Sequence, residues 1–162
     1  MAGGPVFPFS AIPRTAGKIF PNVHKGNTNS KLVAGLGVMA SLDANATWDL
    51  LFQMPPSIPS GTPKLVLLAL ANATANAAKV NPKWAAISRS GGNPDTASLT
   101  AEGTTTVTWA SGDNDDLKET KITLDATTVP AADQVLVMEL VFETSSWTLA
   151  VVSTWIPYVI WE

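Results

Sequence analysis

Short stretches of alternating apolar and polar residues constrain this chain more than any other feature of its sequence. From about residue 31 onward close to eight such stretches occur, separated by clusters of proline, glycine, asparagine and aspartate, with little sustained helical periodicity. In residues 47–54 four apolar side chains fall on one face of a strand: Trp48, Leu50, Phe52 and Met54. The pattern predicts an all-β fold made of half-buried strands.

Two other stretches refine this prediction. Residues 134–143 place Leu136, Met138, Leu140 and Phe142 on one face and three valines with Glu139 and Glu143 on the other, whereas residues 64–71 are apolar on both faces. A strand of the second kind requires cover on both sides, so one of its faces is a candidate interface. About eight strands in ~130 residues fit a two-sheet antiparallel β-sandwich of jelly-roll type.

Residues 1–30 differ from the rest of the chain. They carry prolines at positions 5, 8, 13 and 21 among scattered large apolar residues, and regularly spaced prolines interrupt both helices and sheet ladders. Because a disordered tail is normally poor in aromatic residues, we expect an extended N-terminal arm that docks on its own domain or on a neighbour. The predicted division is an arm over residues 1–30, with residues 24–30 as its connecting loop, and a jelly-roll domain over residues 31–162.

Large apolar side chains in two segments are candidates for a subunit interface. The first segment is the arm, and the second is the late stretch 154–161, which is apolar on both faces. The candidate residues are Phe7, Phe9, Ile12, Ile19, Phe20, Trp155, Tyr158 and Trp161. Three other tryptophans share a strand face with aliphatic residues and are expected in the core: Trp48, Trp109 and Trp147.

The residue types needed for catalysis or metal binding are scarce. The chain has no cysteine and one histidine, His24, which excludes disulfides, thiolate chemistry and a multi-histidine zinc site. The acidic cluster that starts at Asp113 fails the EF-hand pattern, because Lys118 and Leu124 occupy its sixth and twelfth positions. We therefore predict no catalytic residue, no metal ligand, no cofactor and no enzymatic activity.

Charge and hydropathy exclude two classes of partner. Ten Lys and Arg against 13 Asp and Glu give a net charge of −3, which does not suit nucleic-acid binding. The longest apolar run, residues 65–71, is much shorter than the ~20 residues of a membrane helix. The proline-interrupted start does not match a secretory signal, so we expect synthesis in a cytoplasm and no membrane partner.

Three segments carry a resemblance to a known group of proteins. They are residues 65–76 with Trp84, the threonine-rich residues 99–109, and residues 133–140 leading through 147–149 to 155–157. In strand order and composition, residues 47–162 resemble the small jelly-roll structural proteins of tailed-bacteriophage virions. The resemblance implies a head decoration or cement protein that binds the major capsid protein on the capsid exterior as a homo-oligomer, most often a trimer.

A second function stays open at this point. The same fold could serve as a receptor- or carbohydrate-binding module of a phage fibre or tail. Its ligand would contact exposed tryptophans and the polar loops at residues 91–95 and 112–116. The two functions differ in their partner, which is a protein shell in the first and a sugar in the second.

Overall fold

The computed structural model describes residues 4–13, 19–25, 32–39, 45–71, 76–109, 116–143 and 152–162. Within these ranges the chain forms eleven β-strands and a single 3₁₀ turn, Pro94–Thr96. The strands are β1 (Ser10–Pro13), β2 (Ile19–Lys25), β3 (Leu32–Met39), β4 (Ala46–Gln53), β5 (Pro63–Ala71), β6 (Asn76–Ser88), β7 (Thr100–Ala101), β8 (Thr105–Trp109), β9 (Lys118–Thr123), β10 (Gln134–Phe142) and β11 (Val152–Trp161).

The strands form two antiparallel sheets. The six-stranded sheet has the order β1-β4-β10-β6-β7, with β8 also pairing with β6, and the five-stranded sheet has the order β2-β3-β11-β5-β9. This architecture confirms the predicted all-β sandwich of jelly-roll type. The described part of the chain contains no helix of the length and apolarity needed to cross a membrane.

The core lies between the two sheets and is built from the inward faces of alternating strands. The face predicted for residues 47–54 is buried, and the matching face of β10 lies beside it in the same cluster. The two sheets meet in aromatic contacts, since the ring centroids of Phe142 and Trp155 are 5.0 Å apart. The opposite face of β4 and β10 points away from the core.

The described parts of the predicted N-terminal arm are extended and pair with strands of the same chain. The described parts of residues 1–30 form β1, which pairs with β4, and β2, which pairs with β3. Both are edge strands, where a proline such as Pro13 or Pro21 is tolerated because one side of the strand needs no ladder hydrogen bond. His24, which we expected in a loop, belongs to β2.

Two prolines inside longer strands lie where the neighbouring strand is interrupted. Pro82 in β6 falls between the part paired with β8, which ends at Val80, and the part paired with β7, which begins at Lys83. Pro157 in β11 falls between the end of the pairing with β3 at Trp155 and an isolated bridge at Val159. Because none of the described strands pairs with these positions on that side, the missing amide hydrogens of Pro82 and Pro157 remove few hydrogen bonds from the sheets.

Both faces of β5 are largely covered within one chain. Leu65, Leu67 and Ala69 face the core, and on the opposite face Val66 and Leu70 are only 0% and 7% exposed. The apolar character of this strand on both sides is thus satisfied in large part without a second subunit.

Candidate binding groove

A groove of about 320 Å³ lies on the outer face of the six-stranded sheet. Its floor is formed by outward-facing side chains of β4 and β10. The antiparallel register places Asp49 opposite Glu139 and Leu51 opposite Val137, so an acidic row and an aliphatic row run side by side. The alternation that fills the core on one face of β4 and β10 therefore builds the groove on the other face.

The two walls of the groove come from distant parts of the chain. One wall is β1, where Ser10 pairs with Leu51 and Ile12 pairs with Asp49. The other wall is the segment after β6, which contributes four lining residues: Pro94, Asp95, Ala97 and Leu99. The groove is therefore bounded on one side by a strand and on the other by a loop.

Local hydrogen bonds fix the shape of the loop wall. The Asp95 amide donates to Oδ1 of Asn93 at 3.0 Å, which caps the 3₁₀ turn, and the Ala97 amide donates to the Pro94 carbonyl at 3.3 Å. Pro94 stands in the first turn, where its fixed φ angle suits the geometry and its missing amide hydrogen is not needed. The sequence Asn-Pro-Asp thus holds this wall in place.

Three carboxylates line the groove: Asp49, Asp95 and Glu139. Directly opposed side chains on antiparallel strands have Cβ atoms ~4.5–5.5 Å apart, so Asp49 and Glu139 are close neighbours. Lys83 continues the row on β6, opposite Glu139. Such a row can accept hydrogen bonds from hydroxyl or amino groups of a ligand.

The described residues hold no group of three or more histidine, cysteine, aspartate or glutamate side chains arranged to bind a metal ion. Asp113 and Asp115, from the acidic cluster of the sequence, lie outside the described residues.

Two further depressions lie near the end of β6. The first, of about 300 Å³, shares Ala97 with the groove and is lined by the end of β6 and by Thr127 and Thr128. The second, of about 550 Å³, shares Gln134 with the first depression and contains Arg89 and Asp133, whose charged groups are 3.6 Å apart. Gln134 lies on the inward-facing side of β10, so these depressions are described separately from the groove.

The eight predicted interface residues are found in different environments. Phe7, Phe9 and Ile12 are 56%, 62% and 59% exposed, and Ile12 lines the groove. Trp155 and Trp161 are buried in the core of their own chain, so their rings do not face outward as expected. Tyr158 is partly exposed, its ring centroid 5.5 Å from that of Phe7. Ile19 and Phe20 lie in β2, and a subunit contact through this set stays a prediction.

The four tryptophans whose side chains the structure describes do not provide the exposed sugar-binding surface that the alternative function anticipated. Trp48, Trp84, Trp155 and Trp161 are all buried, because each indole has a large apolar area that the inward strand positions can cover. The backbone of Trp109 lies in β8, and Trp147 is outside the described residues. Of the two predicted polar loops, the one at residues 91–95 does contribute to the groove, through Pro94 and Asp95.

Sequence reasoning missed the groove because it depends on pairing between strands. Glu139 was identifiable as an outward carboxylate, but its neighbour Asp49 lies far away in the sequence. The alternation of β4 and β10 was the available signal, since it marks both residues as outward-facing. Nothing in the sequence states that the two strands are adjacent.

Comparison with known proteins identifies no family for this chain. No family model matches the chain, and no curated protein matches it. A solved structure of a family 11 carbohydrate-binding module from Clostridium thermocellum, in complex with a beta-1,3-1,4-mixed-linked tetrasaccharide, aligns with a TM-score of 0.47 at 10% identity, covering 98% of this chain and 96% of that one. TmCBM61 in complex with beta-1,4-galactotriose aligns with a TM-score of 0.44 at 13% identity, covering 94% and 88%.

A phage protein is also among the structures that align with this chain. The enzymatically active domain of bacteriophage CBA120 tailspike protein 4 aligns with a TM-score of 0.43 at 8% identity, covering 93% of this chain and 19% of that one. No residue role and no function is taken from these alignments.

Proposed function

We propose that this chain is a non-catalytic binding module that holds an uncharged oligosaccharide in the groove of the six-stranded sheet. The observation that carries the proposal is the groove itself. Its floor places a row of carboxylates beside a row of aliphatic side chains, between two walls. This is the binding-module function left open by the sequence, with the ligand placed on the sheet face instead of on exposed tryptophans.

The chemistry of the lining suits a sugar ring. A pyranose presents hydroxyl groups at its edge and C–H groups on its faces, so it requires hydrogen-bond acceptors together with apolar contacts. Asp49, Asp95 and Glu139 supply acceptors, while Ile12, Leu51 and Leu99 supply aliphatic surface. Charge-assisted hydrogen bonds to carboxylates are stronger than neutral ones, which makes the acidic row the main source of affinity.

The volume and the charge of the groove restrict the class of ligand further. A volume of about 320 Å³ lies at the lower end of the ~300–1,000 Å³ typical of small-molecule sites and suits a short oligosaccharide segment. Three carboxylates in a chain of net charge −3 disfavour phosphorylated or sulfated ligands.

Isothermal titration calorimetry tests this function. The sugars named for the structural neighbours provide the first panel: the mixed-linked tetrasaccharide, beta-1,4-galactotriose and xylohexaose. Calorimetry is preferable to tryptophan fluorescence, because the four described indole rings are buried and away from the groove. We expect at least one sugar to bind, and mass spectrometry to recover it uncleaved.

A matched pair of variants locates the site. Glu139 and Glu143 lie on the outward face of the same strand region, but only Glu139 lines the groove, whereas Glu143 accepts a hydrogen bond from Oγ1 of Thr104. Replacing a charged acceptor costs ~1.5–3 kcal/mol, so Glu139→Gln should weaken binding about tenfold or more. Glu143→Gln should leave the affinity unchanged. Equal effects of the two variants, or no binding across the panel, would contradict the proposal.

The virion decoration function remains a second candidate, favoured by one observation. Phe7 and Phe9 are more than half exposed on one short segment, and exposed aromatic residues are characteristic of protein interfaces. In this proposal the chain forms a homo-oligomer, most often a trimer, that binds the major capsid protein on the capsid exterior. Self-association is its first requirement and is a property of the whole molecule.

A further inference from the structure

The N-terminal strap, residues 6–13, crosses from one sheet to the other along the edge of the sandwich. At its start Val6 exchanges two backbone hydrogen bonds with Val159 of β11, of 2.8 and 2.9 Å. Three residues later the Phe9 amide donates to the Leu51 carbonyl at 2.9 Å, and β1 then pairs with β4. The strap is thus hydrogen-bonded to both sheets.

Side chains contribute only part of this attachment. Val6 packs against the core and the Phe7 ring contacts that of Tyr158, but Phe7, Phe9 and Ile12 remain 56%, 62% and 59% exposed. A short edge strand with few buried apolar contacts belongs to the part of a protein that opens most easily. The strap can therefore leave the sandwich without unfolding the core.

The same strap forms one complete wall of the groove. Ser10 and Ile12 line it, and the register places Ile12 beside the acidic row, opposite Asp49. When the strap leaves, the groove loses this wall and retains only its floor and the loop wall. A ligand that contacts both walls consequently binds the docked form better than the open form.

We infer that the strap is a separable wall of the binding site, so that strap docking and ligand binding are thermodynamically coupled, with Ile12 as the strap residue that contacts the ligand. The inference rests on the proposed function. Coupling is reciprocal, because a ligand that prefers the docked form stabilises docking by the same factor by which docking increases affinity.

Amide hydrogen exchange measures the docking. In the ligand-free protein we expect the Val6 and Phe9 amides to exchange faster than the Met138 amide at the centre of β10. Adding the sugar that binds most tightly in the calorimetric panel, at ~100 times its Kd, should slow exchange at Val6 and Phe9 at least tenfold, since linkage allows up to ~100-fold. Protection of the strap equal to that of β10 in the free protein would overturn the inference.

Two variants of the strap test its role as a wall. Ile12 and Phe9 are similarly exposed, but Ile12 lines the groove and Phe9 does not. Loss of an aliphatic contact of this size corresponds to about a tenfold change in affinity, so we expect Ile12→Ser to weaken sugar binding about tenfold. Phe9→Ser should bind like the wild type, and both variants should keep the thermal midpoint of the parent within a few degrees.

The outcomes separate this inference from the function on which it rests. If a sugar binds and Ile12→Ser binds it as well as the wild type, the strap is not a wall of the site, although the groove remains the site. Binding without slower exchange at Val6 and Phe9 would also overturn the coupling. If no sugar of the panel binds, the proposed function fails and the inference fails with it.

Discussion

At the scale of single residues, two buried tryptophans differ in what their indole nitrogens contact. Nε1 of Trp84 donates to Oε1 of Glu102 at 2.5 Å, and the same oxygen accepts from the Ala126 amide at 3.0 Å. Nε1 of Trp161 is buried without a hydrogen-bond partner among the described residues. The first indole therefore links β6 to two loops, while the second contributes apolar area and carries the cost of an unsatisfied donor.

This difference predicts different costs for the same substitution. Trp84→Phe removes volume and a hydrogen bond to a charged group, for a loss of about 2–3 kcal/mol in the free energy of unfolding. Trp161→Phe removes similar volume but also relieves an unsatisfied donor, so it should cost at least ~1 kcal/mol less. Urea denaturation followed by the remaining tryptophans measures both values. Equal losses would show that the bond to Glu102 adds nothing to stability.

At the scale of elements, Glu162, which directly follows β11, forms ion pairs with two other strands of the same sheet, β5 and β9. The Glu162 carboxylate contacts Nζ of Lys64 on β5 at 3.2 Å and also accepts a hydrogen bond from Lys121 on β9. The bond to Lys121, followed by that to Lys64, lowers the pKa of Glu162, and the same bond to Glu162 raises the pKa of Lys121. Both shifts mean that the charged pair is favoured in the folded state.

The lowered pKa of Glu162 predicts an acid-dependent loss of stability. The contribution is present above the carboxyl's ordinary pKa of 4.5 and is lost as the pH falls through the lowered value. Glu162→Gln should therefore reduce the urea midpoint at pH 7 and make little difference at pH 3. The effect should be small, because the group is partly exposed and solvent screens it.

A matched control isolates this contact. Glu119 lies 3.8 Å from the same Lys121 but is more exposed, so Glu119→Gln should change the difference between pH 7 and pH 3 less than Glu162→Gln does. If the urea midpoints of Glu162→Gln and of the wild type differ by the same amount at every pH from 7 to 3, the lowered pKa of Glu162 does not contribute to stability.

At the scale of the whole molecule, most of the large apolar side chains that the structure describes are covered within one chain. Trp155 and Trp161 lie in the core, and the second face of β5 is largely buried, so neither requires a partner subunit. The apolar residues left outside are concentrated on the strap, where three of the five exposed large hydrophobic side chains among the described residues are found. Any self-association through described residues would use this small surface.

Light scattering coupled to size-exclusion chromatography tests self-association. An interface limited to Phe7, Phe9 and Ile12 would be small compared with a standard protein interface of ~1,600 Å². If the protein associates only through described residues, we therefore expect it to have a mass near 17.0 kDa at micromolar concentration. A mass three times larger would favour the decoration function, and it should then fall in a Phe7→Ser, Phe9→Ser double variant. A trimer insensitive to both substitutions would place the interface elsewhere.

The strand content and the inward faces could be predicted from the sequence because both are local properties. The period of two in residues 47–54 and 134–143 assigns each side chain to a face before any pairing is known, and these faces are the ones found in the core. The absence of cysteine and the single histidine likewise exclude disulfides, thiolate chemistry and a multi-histidine zinc site from the sequence alone.

Tertiary structure decided what depends on which strands are neighbours. Only the register brings Asp49 beside Glu139 and places Ile12 at the edge of their row, and only the edge positions of β1 and β2 show why prolines are accepted in them. The tryptophans of β11 were assigned to a surface because a strand apolar on both faces does not reveal which side is covered. Local periodicity therefore determined the faces of the strands, while long-range pairing, which no short segment encodes, determined the groove.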